Sequence, residues 1–259
     1  MKILIPSYQR YHREFLLFTR YPEEYWKKTF VCVRHEEVDQ YKKVINPKAT
    51  IVPLHKSVDM NTTRNEMMSL FDGNVLMIDD DCVFREYNGK NFDTSSSESI
   101  GRMFVEMEKL LNDGFVHASI AHPIIGNRMK GKLVYNSRYY AVLGYNLTVM
   151  KKLGIQFRTK TMSDIEVALN LTKRGYPSAI ITQWLIATQA QNKGGCSVYR
   201  TSEIHNRCAK KLAKYYAPFV KVKKAQSWKG MEQRLDVIAS WKRLFDKAKV
   251  KQIPRGYNV

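Results

Sequence analysis

The sequence has few cysteines, and their spacing matches no metal-binding or redox pair. The four are Cys32, Cys82, Cys196 and Cys208, far apart and without a C-x-x-C arrangement. This distribution argues against a zinc ribbon and against a disulfide scaffold. We therefore expect reduced thiols, as in a cytosolic protein.

Long apolar runs are also missing. The first residues, "MKILIPSYQRYHREF", contain an apolar run that is too short for a signal peptide. No other stretch approaches the length of a membrane span, and we find no internal repeat or low-complexity linker. The sequence therefore predicts a soluble cytoplasmic protein that does not have a membrane as its partner.

Acidic residues are scarce relative to basic ones. The chain of 259 residues has 24 Asp and Glu against 43 Lys and Arg, which gives a formal net charge of +19. The excess is concentrated between Arg207 and Arg255, where fifteen basic residues face three acidic ones. Polyanions, and nucleic acid above all, are the expected partners of such a surface. A solubilising lysine face is the alternative interpretation.

The basic segment mixes charged residues with aromatic and aliphatic ones, as in "CAKKLAKYYAPFVKVKKAQSWKG". The apolar spacing predicts amphipathic helices with a cationic outer face, packed on the rest of the chain. Within it, Lys221, Lys223 and Lys224 are the candidate nucleic-acid contacts.

The first hundred residues alternate between strand-like and helix-like segments. Short apolar runs are separated by segments with helical spacing, such as "EEVDQYKKVI" and "NTTRNEMMSLF"; the runs are "KILIPS", "TFVCVR", "TIVPL" and "NVLMIDDD". This pattern predicts an α/β fold with a mostly parallel sheet flanked by helices. With 44% hydrophobic residues, the chain can bury one large domain.

Three aspartates, Asp79, Asp80 and Asp81, follow the fourth apolar run. In open sheets of this kind, ligands collect at the carboxyl ends of the strands. On a strand, Asp79 and Asp81 would point to one side and Asp80 to the other. Two carboxylates that face one pocket suit a hard divalent cation, Mn²⁺ or Mg²⁺, with open positions for phosphate oxygens. A solvated strand end is the alternative interpretation.

A later segment, "SDIEVALNLTKRGYP", predicts a helix that stops at Gly175 and Pro177. Ser163 and Glu166 have the spacing of a capping box at its start. Glu166 therefore has a structural explanation as well as a functional one, and Asp164 could favour the helix dipole.

Four segments in a fixed order resemble the GT-A class of nucleotide-sugar glycosyltransferases: "ILIPSYQR", "TTRNEMMSLF", "VLMIDDD" and "SDIEVALNLTKRGY". The resemblance implies a Rossmann-like GT-A catalytic domain over residues 1–200. Its donor-binding half would cover about residues 1–90 and its acceptor half about residues 91–200. Residues 201–259 would form a basic helical extension packed on the same domain.

The resemblance also implies roles for individual residues. Asp79 and Asp81 would hold the metal ion, and His205 or Asn192 would add a third contact. The donor would be a nucleoside-diphosphate sugar, with a UDP-sugar expected first. The donor-binding positions would be Pro6, Ser7, Arg10, Arg64, Asn65, Asp79, Asp80, Gly194 and Gly195.

Inverting members of the class place a general base near the start of the later helix, which corresponds to Asp164 in this chain. Such a base removes the proton of an acceptor hydroxyl as the sugar leaves the diphosphate. Ser163 stands where a glutamate is usual in the class, and Glu166 is the second candidate for the catalytic carboxylate.

A second basic and aromatic stretch, "NRMKGKLVYNSRYYAVLGY", lies in the acceptor half. Sugar transfer to DNA needs a hydroxyl that ordinary bases lack, and an extruded hydroxymethylated pyrimidine would supply it. Arg138 would contact the nucleic acid, and Tyr139, Tyr140 or His122 would stack on the base. The combination resembles the TET-associated glycosyltransferases of phages. This implies double-stranded DNA with hydroxymethylcytosine or hydroxymethyluracil as acceptor, a monomer, and action in the host cytoplasm.

Three other functions fit parts of the sequence. A GT-A enzyme that acts on a surface glycan or lipopolysaccharide would use its basic residues to dock on an anionic membrane. A nucleotidyltransferase would use the aspartates for metal-dependent phosphoryl transfer. A non-enzymatic DNA-binding protein would bind DNA without responding to divalent metal.

Overall fold

The first half of the central sheet is parallel, as the sequence predicts. Its strands are β1 (Lys2–Ser7), β2 (Thr29–Arg34), β3 (Thr50–Leu54) and β4 (Asn74–Ile78). They lie in the order β3-β2-β1-β4, and each neighbouring pair is parallel. The carboxyl ends of β1 and β4 therefore meet at one edge of the sheet, which is where ligands bind in open α/β sheets.

The computed structural model describes residues 1–12, 19–188, 195, 199–225 and 232–259. Within these ranges, no helix is long and apolar enough to cross a membrane.

The second half of the sheet is mixed. Its strands are β5 (Cys82–Tyr87), β6 (Phe92–Thr94), β7 (His117–Ala121), β8 (Leu133–Tyr135), β9 (Val142–Asn146) and β10 (Ser178–Thr188). Strand β9 lies between β4 and β7 and runs antiparallel to both, whereas β10 is parallel to β7. The backbone N–H of Asp79 donates to the carbonyl of Ala141 at 3.0 Å. Residues just before β9 therefore border the aspartates that follow β4.

Helices cover both faces of the sheet, as an α/β layer architecture requires. In the described chain they are α1 (Val38–Lys42), α2 (Met60–Leu70), α3 (Ser97–Asn112), α4 (Pro123–Arg128), α5 (Leu147–Lys152) and α6 (Ser163–Lys173). One hydrophobic cluster joins Ile3 and Ile5 of β1 to Phe104 of α3. Another joins Leu4 to Met67 of α2. Successive residues of β1 thus enter cores on opposite faces, which confirms the predicted fold class.

The C-terminal segment is part helix and part hairpin. Its elements are α7 (Ser202–Tyr215), β11 (Val220–Lys224), β12 (Leu235–Ala239) and α8 (Trp241–Asp246). The sequence predicted helices throughout this segment, and this was wrong for residues 220–224 and 235–239. These residues form β11 and β12, which pair antiparallel with Val222 opposite Val237. The alternation V-K-V-K fits the two-residue period of a strand better than a helical face. Leu212 of α7 and Val237 share a hydrophobic cluster with Leu169 of α6.

Candidate active site

The loop after β1 is fastened to the aspartates after β4. Asp80 accepts hydrogen bonds from the Ser7 hydroxyl and from the Arg10 guanidinium, and Arg10 Nη1 lies 3.1 Å from Asp81 Oδ2. The Tyr41 hydroxyl lies 2.8 Å from Ser7 Oγ and accepts a hydrogen bond from the backbone N–H of Arg10 at 3.1 Å. These contacts fix the loop backbone beside the carboxylates.

Two predicted donor-binding residues are structural instead. The side chain of Asp80 is only 7% exposed, and its two oxygens accept from Ser7 and Arg10, so it braces the loop after β1. Burial raises the pKa of Asp80 to about 6, although Arg10 opposes this effect. Pro6 is a buried residue of β1 that pairs with Cys32, and it does not belong to the loop that follows the strand.

Asp79 is held by a buried arginine. Arg64 Nη2 lies 3.3 Å from Asp79 Oδ1, and Arg64 Nη1 donates to Ser163 Oγ at 3.0 Å. Arg64 therefore connects α2, the end of β4 and the start of α6. Burial raises the pKa of Asp79 to about 6; Arg64 opposes this, and the charges of Asp81 and Asp164 add to it. Asp79 and Asp81 after β4 and Asp164 at the start of α6 thus lie within electrostatic reach of one another. We call these three carboxylates the acidic group.

The oxygen donors of this group fit a hard divalent cation. The side chains of Asp79 and Asp81 are 32% and 20% exposed, so both carboxylates keep some surface that an ion can reach. A cation would also relieve the repulsion that helps to raise the pKa of Asp79. In the described residues, no three His, Cys, Asp or Glu side chains are grouped so as to hold an ion by themselves. Further positions would therefore be filled by phosphate oxygens or water.

His205 does not belong to this acidic group. It lies in the first turns of α7, is 4% exposed, and accepts a hydrogen bond at Nε2 from Arg234 Nε at 3.1 Å. Burial and the charges of neighbouring arginines lower the pKa of His205 to about 4. Its assignment as a metal ligand was wrong, because one ring nitrogen is already used and the surrounding charges repel a cation. Asn192 and Gly194 lie outside the described residues.

The start of α6 differs from the predicted capping box. Ser163 is the first helical residue and follows Met162, whose φ of 58° is in the left-handed region. Among the described residues no side chain caps this end, and the Ser163 hydroxyl accepts the hydrogen bond from α2 described above. Glu166 is buried, pairs with Arg158 and lies 3.3 Å from the Tyr216 hydroxyl. Glu166 as second candidate base was therefore wrong, since its carboxylate is enclosed and paired.

Asp164 is half-buried at the same helix start. Its Oδ1 accepts a hydrogen bond from the backbone N–H of Ile165 at 2.8 Å. Burial raises the pKa of Tyr140, and the charge of Asp164 adds to this as it does for Asp79. Asp164 is therefore within electrostatic reach of Asp79 and of Tyr140, which lies in the predicted acceptor segment (residues 127–145). A general base for acceptor activation would need such a position.

Two further predicted contacts are structural. Asn65 donates to the carbonyl of Phe157 and accepts from its backbone N–H, both at 2.9 Å, so its amide ties α2 to the segment before α6. Tyr139 is fully buried, with its hydroxyl 2.6 Å from His117 Nδ1, and cannot stack on an extruded base. His117 Nε2 donates to the carbonyl of Tyr176 at 2.9 Å, so Nδ1 must accept from Tyr139.

Tyr140 is the half-buried one of the remaining predicted stacking residues, whereas His122 is only 9% exposed. Their rings are stacked with centroids 5.8 Å apart and an interplanar angle of 27°. Arg138 Nη1 lies 2.9 and 3.0 Å from the two carboxylate oxygens of Asp236 in β12. This contact ties the acceptor segment to the C-terminal hairpin, and nothing in the sequence signals it across 98 positions.

Gly195 lies against the loop that follows β1. Its N–H donates to the carbonyl of Tyr8 at 2.9 Å. Its φ is +59°, and an added Cβ would come within 3.1 Å of Arg10 Nη2. Both the backbone conformation and the close approach favour glycine. One residue of the predicted glycine turn is thus placed beside Arg10.

The predicted basic contacts are exposed, although they lie on a strand. Lys221, Lys223 and Lys224 all have exposed side chains in β11. In the register of the hairpin, Lys223 of β11 lies opposite Asp236 of β12. The carboxylate of Asp236 binds Arg138. The cationic surface of the hairpin is therefore connected to the acceptor segment.

The sheet order and the strand-end carboxylates are as the predicted α/β fold requires. The profile of the TET-associated glycosyltransferase family matches residues 1–195, and the chain belongs to this family. The beta-glucosyl-HMC-alpha-glucosyl-transferases of Enterobacteria phages T6 and T2 are 25% and 24% identical to it in alignments of 230 positions. Each match covers 82% of this chain and 80% of the relative. The protein is therefore a glycosyltransferase, as the motifs predict.

A solved structure gives the same fold. The crystal structure of GalNAc-T7 with UDP, GalNAc and Mn²⁺ superposes with a TM-score of 0.52 at 10% identity. The match covers 81% of this chain and 47% of that chain. This likeness supports the α/β architecture alone, since the sequences have diverged almost completely.

Proposed function

We propose that the protein transfers a sugar from a nucleoside-diphosphate sugar to a hydroxyl carried by a hydroxymethylated pyrimidine in double-stranded DNA. The observation that carries the proposal is the family match over residues 1–195, which includes the strand-end carboxylates and the acceptor segment. The phage relatives are named for beta-glucosyl-HMC, so a sugar already attached to hydroxymethylcytosine is one form in which the hydroxyl can be offered.

On the donor side, the loop after β1 would receive the nucleotide. Arg10 is fixed by Asp80 and Tyr41, and its guanidinium lies beside Asp81 and under Gly195. A guanidinium held in this way can bind phosphate oxygens without losing much side-chain freedom. A UDP-sugar is the expected donor. Asp79 and Asp81 would hold Mn²⁺ or Mg²⁺, which when bound neutralises the charge of the departing diphosphate.

The alpha-glucosyl product in the names of the phage relatives would, from an alpha-linked donor, be formed with retention at C1. If this chain instead inverts C1, Asp164 would act as the general base. It takes the proton of the acceptor hydroxyl while that oxygen bonds to C1 of the sugar. The bond between C1 and the phosphate oxygen breaks, and the nucleoside diphosphate leaves with the electron pair. Arg64 serves as a positioning residue, because it connects Asp79 to Ser163, the residue directly before Asp164.

On the acceptor side, the exposed lysines of β11 would bind the DNA backbone by neutralising phosphates. The acceptor hydroxyl reaches Asp164 only if the modified nucleotide leaves the base stack. The stacked pair of Tyr140 and His122 would provide the aromatic surface for the extruded base.

The decisive experiment offers the enzyme four duplexes that differ only at one pyrimidine: cytosine, hydroxymethylcytosine, beta-glucosyl-hydroxymethylcytosine and hydroxymethyluracil. Each is incubated with a panel of UDP-sugars and Mn²⁺, and the nucleosides are analysed by mass spectrometry. We expect a mass gain of one sugar on a modified duplex and none on the cytosine control. Transfer to lipopolysaccharide that DNA does not inhibit, with no transfer to any duplex, would contradict the proposal.

A further inference from the structure

Three arginines from separate parts of the chain lie within electrostatic reach of His205. Arg138 precedes β9, Arg200 precedes α7, and Arg234 precedes β12; we call them the arginine cluster. Arg234 bonds His205 directly at 3.1 Å. Burial lowers the pKa of His205, and the charges of all three arginines act in the same direction. The cluster is therefore a convergence of cations around one buried neutral imidazole.

Among the described residues, the arginine cluster brings three positive charges within reach of one carboxylate, Asp236. Asp236 uses both of its oxygens to bind Arg138. Arg234 is half-buried, and its pKa is lowered by burial and by the charges of Arg138 and Arg200, against the opposing effect of Asp236. A bound anion would relieve this repulsion.

His205 adds a donor that points to the same kind of ligand. Its Nε2 accepts from Arg234, so the neutral ring must carry its proton on Nδ1. This Nδ1 is buried and has no hydrogen-bond partner in the described residues. A buried N–H without an acceptor is rare, and an anion oxygen would satisfy it.

The start of α7 contributes to the same environment. Arg200 immediately precedes Thr201, whose side chain caps this helix of 14 residues by accepting from the N–H of Ile204 at 3.2 Å. The buried Ser202 hydroxyl in the first turn also has no partner in the described chain. Helix N-termini favour anions, and phosphates in particular.

The neighbours of the arginine cluster favour a phosphate of the DNA acceptor as its ligand. Burial lowers the pKa of His122, and the charge of Arg138 adds to this, which places Arg138 near the stacked pair of the acceptor side. Arg138 is also tied to the hairpin that bears the exposed lysines. The charge of Arg200 acts on Asp79, so the cluster borders the donor carboxylates as well.

We propose that the arginine cluster and His205 form a phosphate site for the DNA backbone next to the acceptor nucleotide. This inference rests on the proposed function in DNA glycosylation. Extrusion of a nucleotide displaces its flanking phosphates from the regular helix. Guanidinium groups bind phosphate through paired N–H donors, so the site can hold one displaced phosphate in a defined place.

The test removes the charge of one phosphate at a time. Duplexes with a single hydroxymethylcytosine carry one neutral methylphosphonate on either side of that nucleotide, and binding is measured by fluorescence anisotropy. Wild-type protein should lose about tenfold in affinity or more at one position, the worth of a charge-assisted hydrogen bond. On the duplex whose phosphates are all charged, which we call the natural duplex, Arg234→Gln should lose a similar factor in affinity. The variant should show no further loss of affinity when the methylphosphonate is at the sensitive position.

Arg243→Gln is the matched control, because it removes one exposed positive charge from the same C-terminal segment. It should keep the full sensitivity to the methylphosphonate. Equal behaviour of the two variants, with that sensitivity kept in both, would overturn the phosphate site. Arg200→Gln, an exposed side chain, gives the same readout if Arg234→Gln does not fold.

Two further measurements separate the possible failures. UDP affinity is measured for each variant, because a loss of UDP binding with unchanged DNA binding would assign the arginine cluster to the donor diphosphate and overturn the proposal. Glycosylation of the natural duplex and of its beta-glucosylated form is measured first. Its absence would contradict the proposed function, whereas transfer with unchanged methylphosphonate sensitivity in Arg234→Gln overturns the phosphate site alone.

Discussion

The strand-end carboxylates and the arginine cluster are charged sites of opposite sign, and the charge of Arg200 acts on Asp79. At the strand ends, Asp79, Asp80 and Asp81 outnumber their two buried cations, Arg10 and Arg64. In the arginine cluster the balance is reversed, since Asp236 is the carboxylate set among three arginines. The first site would be completed by a cation and the second by an anion.

The two sites also differ in how the chain builds them. The carboxylates follow one strand, and the loop that braces them follows the neighbouring strand in the same parallel sheet. The arginine cluster instead joins residues that precede β9, α7 and β12. The difference teaches that the proposed donor site is a property of the sheet, whereas the proposed phosphate site depends on the C-terminal hairpin being packed in place.

The largest effect is expected when the donor side loses a metal ligand. Asp81→Asn should lower transfer by roughly 10³-fold, because a catalytic metal supplies several kcal/mol of charge stabilisation. The fold should be kept, since the side chain is partly exposed. Steady-state transfer at saturating Mn²⁺ measures this, with the exposed Asp39→Asn of α1 as control. If Asp81→Asn kept an activity close to wild type, Asp79 and Asp81 would not be the metal site.

The next largest effect separates two carboxylates of α6. Asp164→Asn should lower kcat by roughly 10²-fold, with little change in donor binding, because it removes a general base. Glu166→Gln should mainly lower the melting temperature, since it weakens the buried contact with Arg158. Turnover, UDP affinity and thermal unfolding are measured for both variants. An alpha-linked product from an alpha-linked donor would contradict a single displacement with Asp164 as its base.

The parallel half of the fold and the carboxylates could be predicted because their signals are local. Strand length, apolar runs and the aspartates at a strand end are all read within a few residues. Tyr139 and Tyr140 show where local reading fails: neighbouring residues point to opposite sides, and the sequence does not say which one meets His117. The contacts of Asp80 could not be predicted for a related reason, since Ser7 ends another strand and Arg10 lies in the loop after it.

The arginine cluster could not be predicted because its contacts join distant positions. Arg138 and Asp236 are 98 positions apart, and Arg234 and His205 are 29 apart. The mistaken helix in the hairpin had the same consequence, because a helix over residues 220–224 would not place Asp236 opposite Lys223. A lone histidine with no known neighbours was then assigned to a metal instead of to a group of arginines.

A smaller effect on turnover is expected from the outer lysines of β11. Reversal of Lys221, Lys223 and Lys224 to glutamate should raise the Michaelis constant for DNA. It should also flatten the plot of log K against log[salt], by about 0.9 for each phosphate that the protein no longer neutralises. The matched control reverses three exposed lysines elsewhere, Lys43, Lys90 and Lys109, for the same change in net charge. Equal effects of the two triple variants would mean that DNA senses only the overall charge.

The smallest effect concerns stability and involves neither charged site directly. Burial lowers the pKa of His117 from 6.5 to about 4, so the unfolded chain binds a proton in this range that the folded chain does not. The free energy of unfolding should therefore fall as the pH drops from 6.5 towards 4, by up to about 1.4 kcal/mol per pH unit for one such group. Below this range the contribution should be constant.

His117→Gln should weaken this pH dependence. The raised pKa values of Asp79 and Asp80 act in the opposite direction, since a carboxyl that binds its proton more tightly in the folded state adds stability as the pH falls through about 6. The measurement is therefore the difference in slope between variant and wild type in urea unfolding at several pH values. An unchanged slope would mean that His117 is protonated in the folded protein, and the hydrogen bond from Tyr139 to Nδ1 would then have to be reversed.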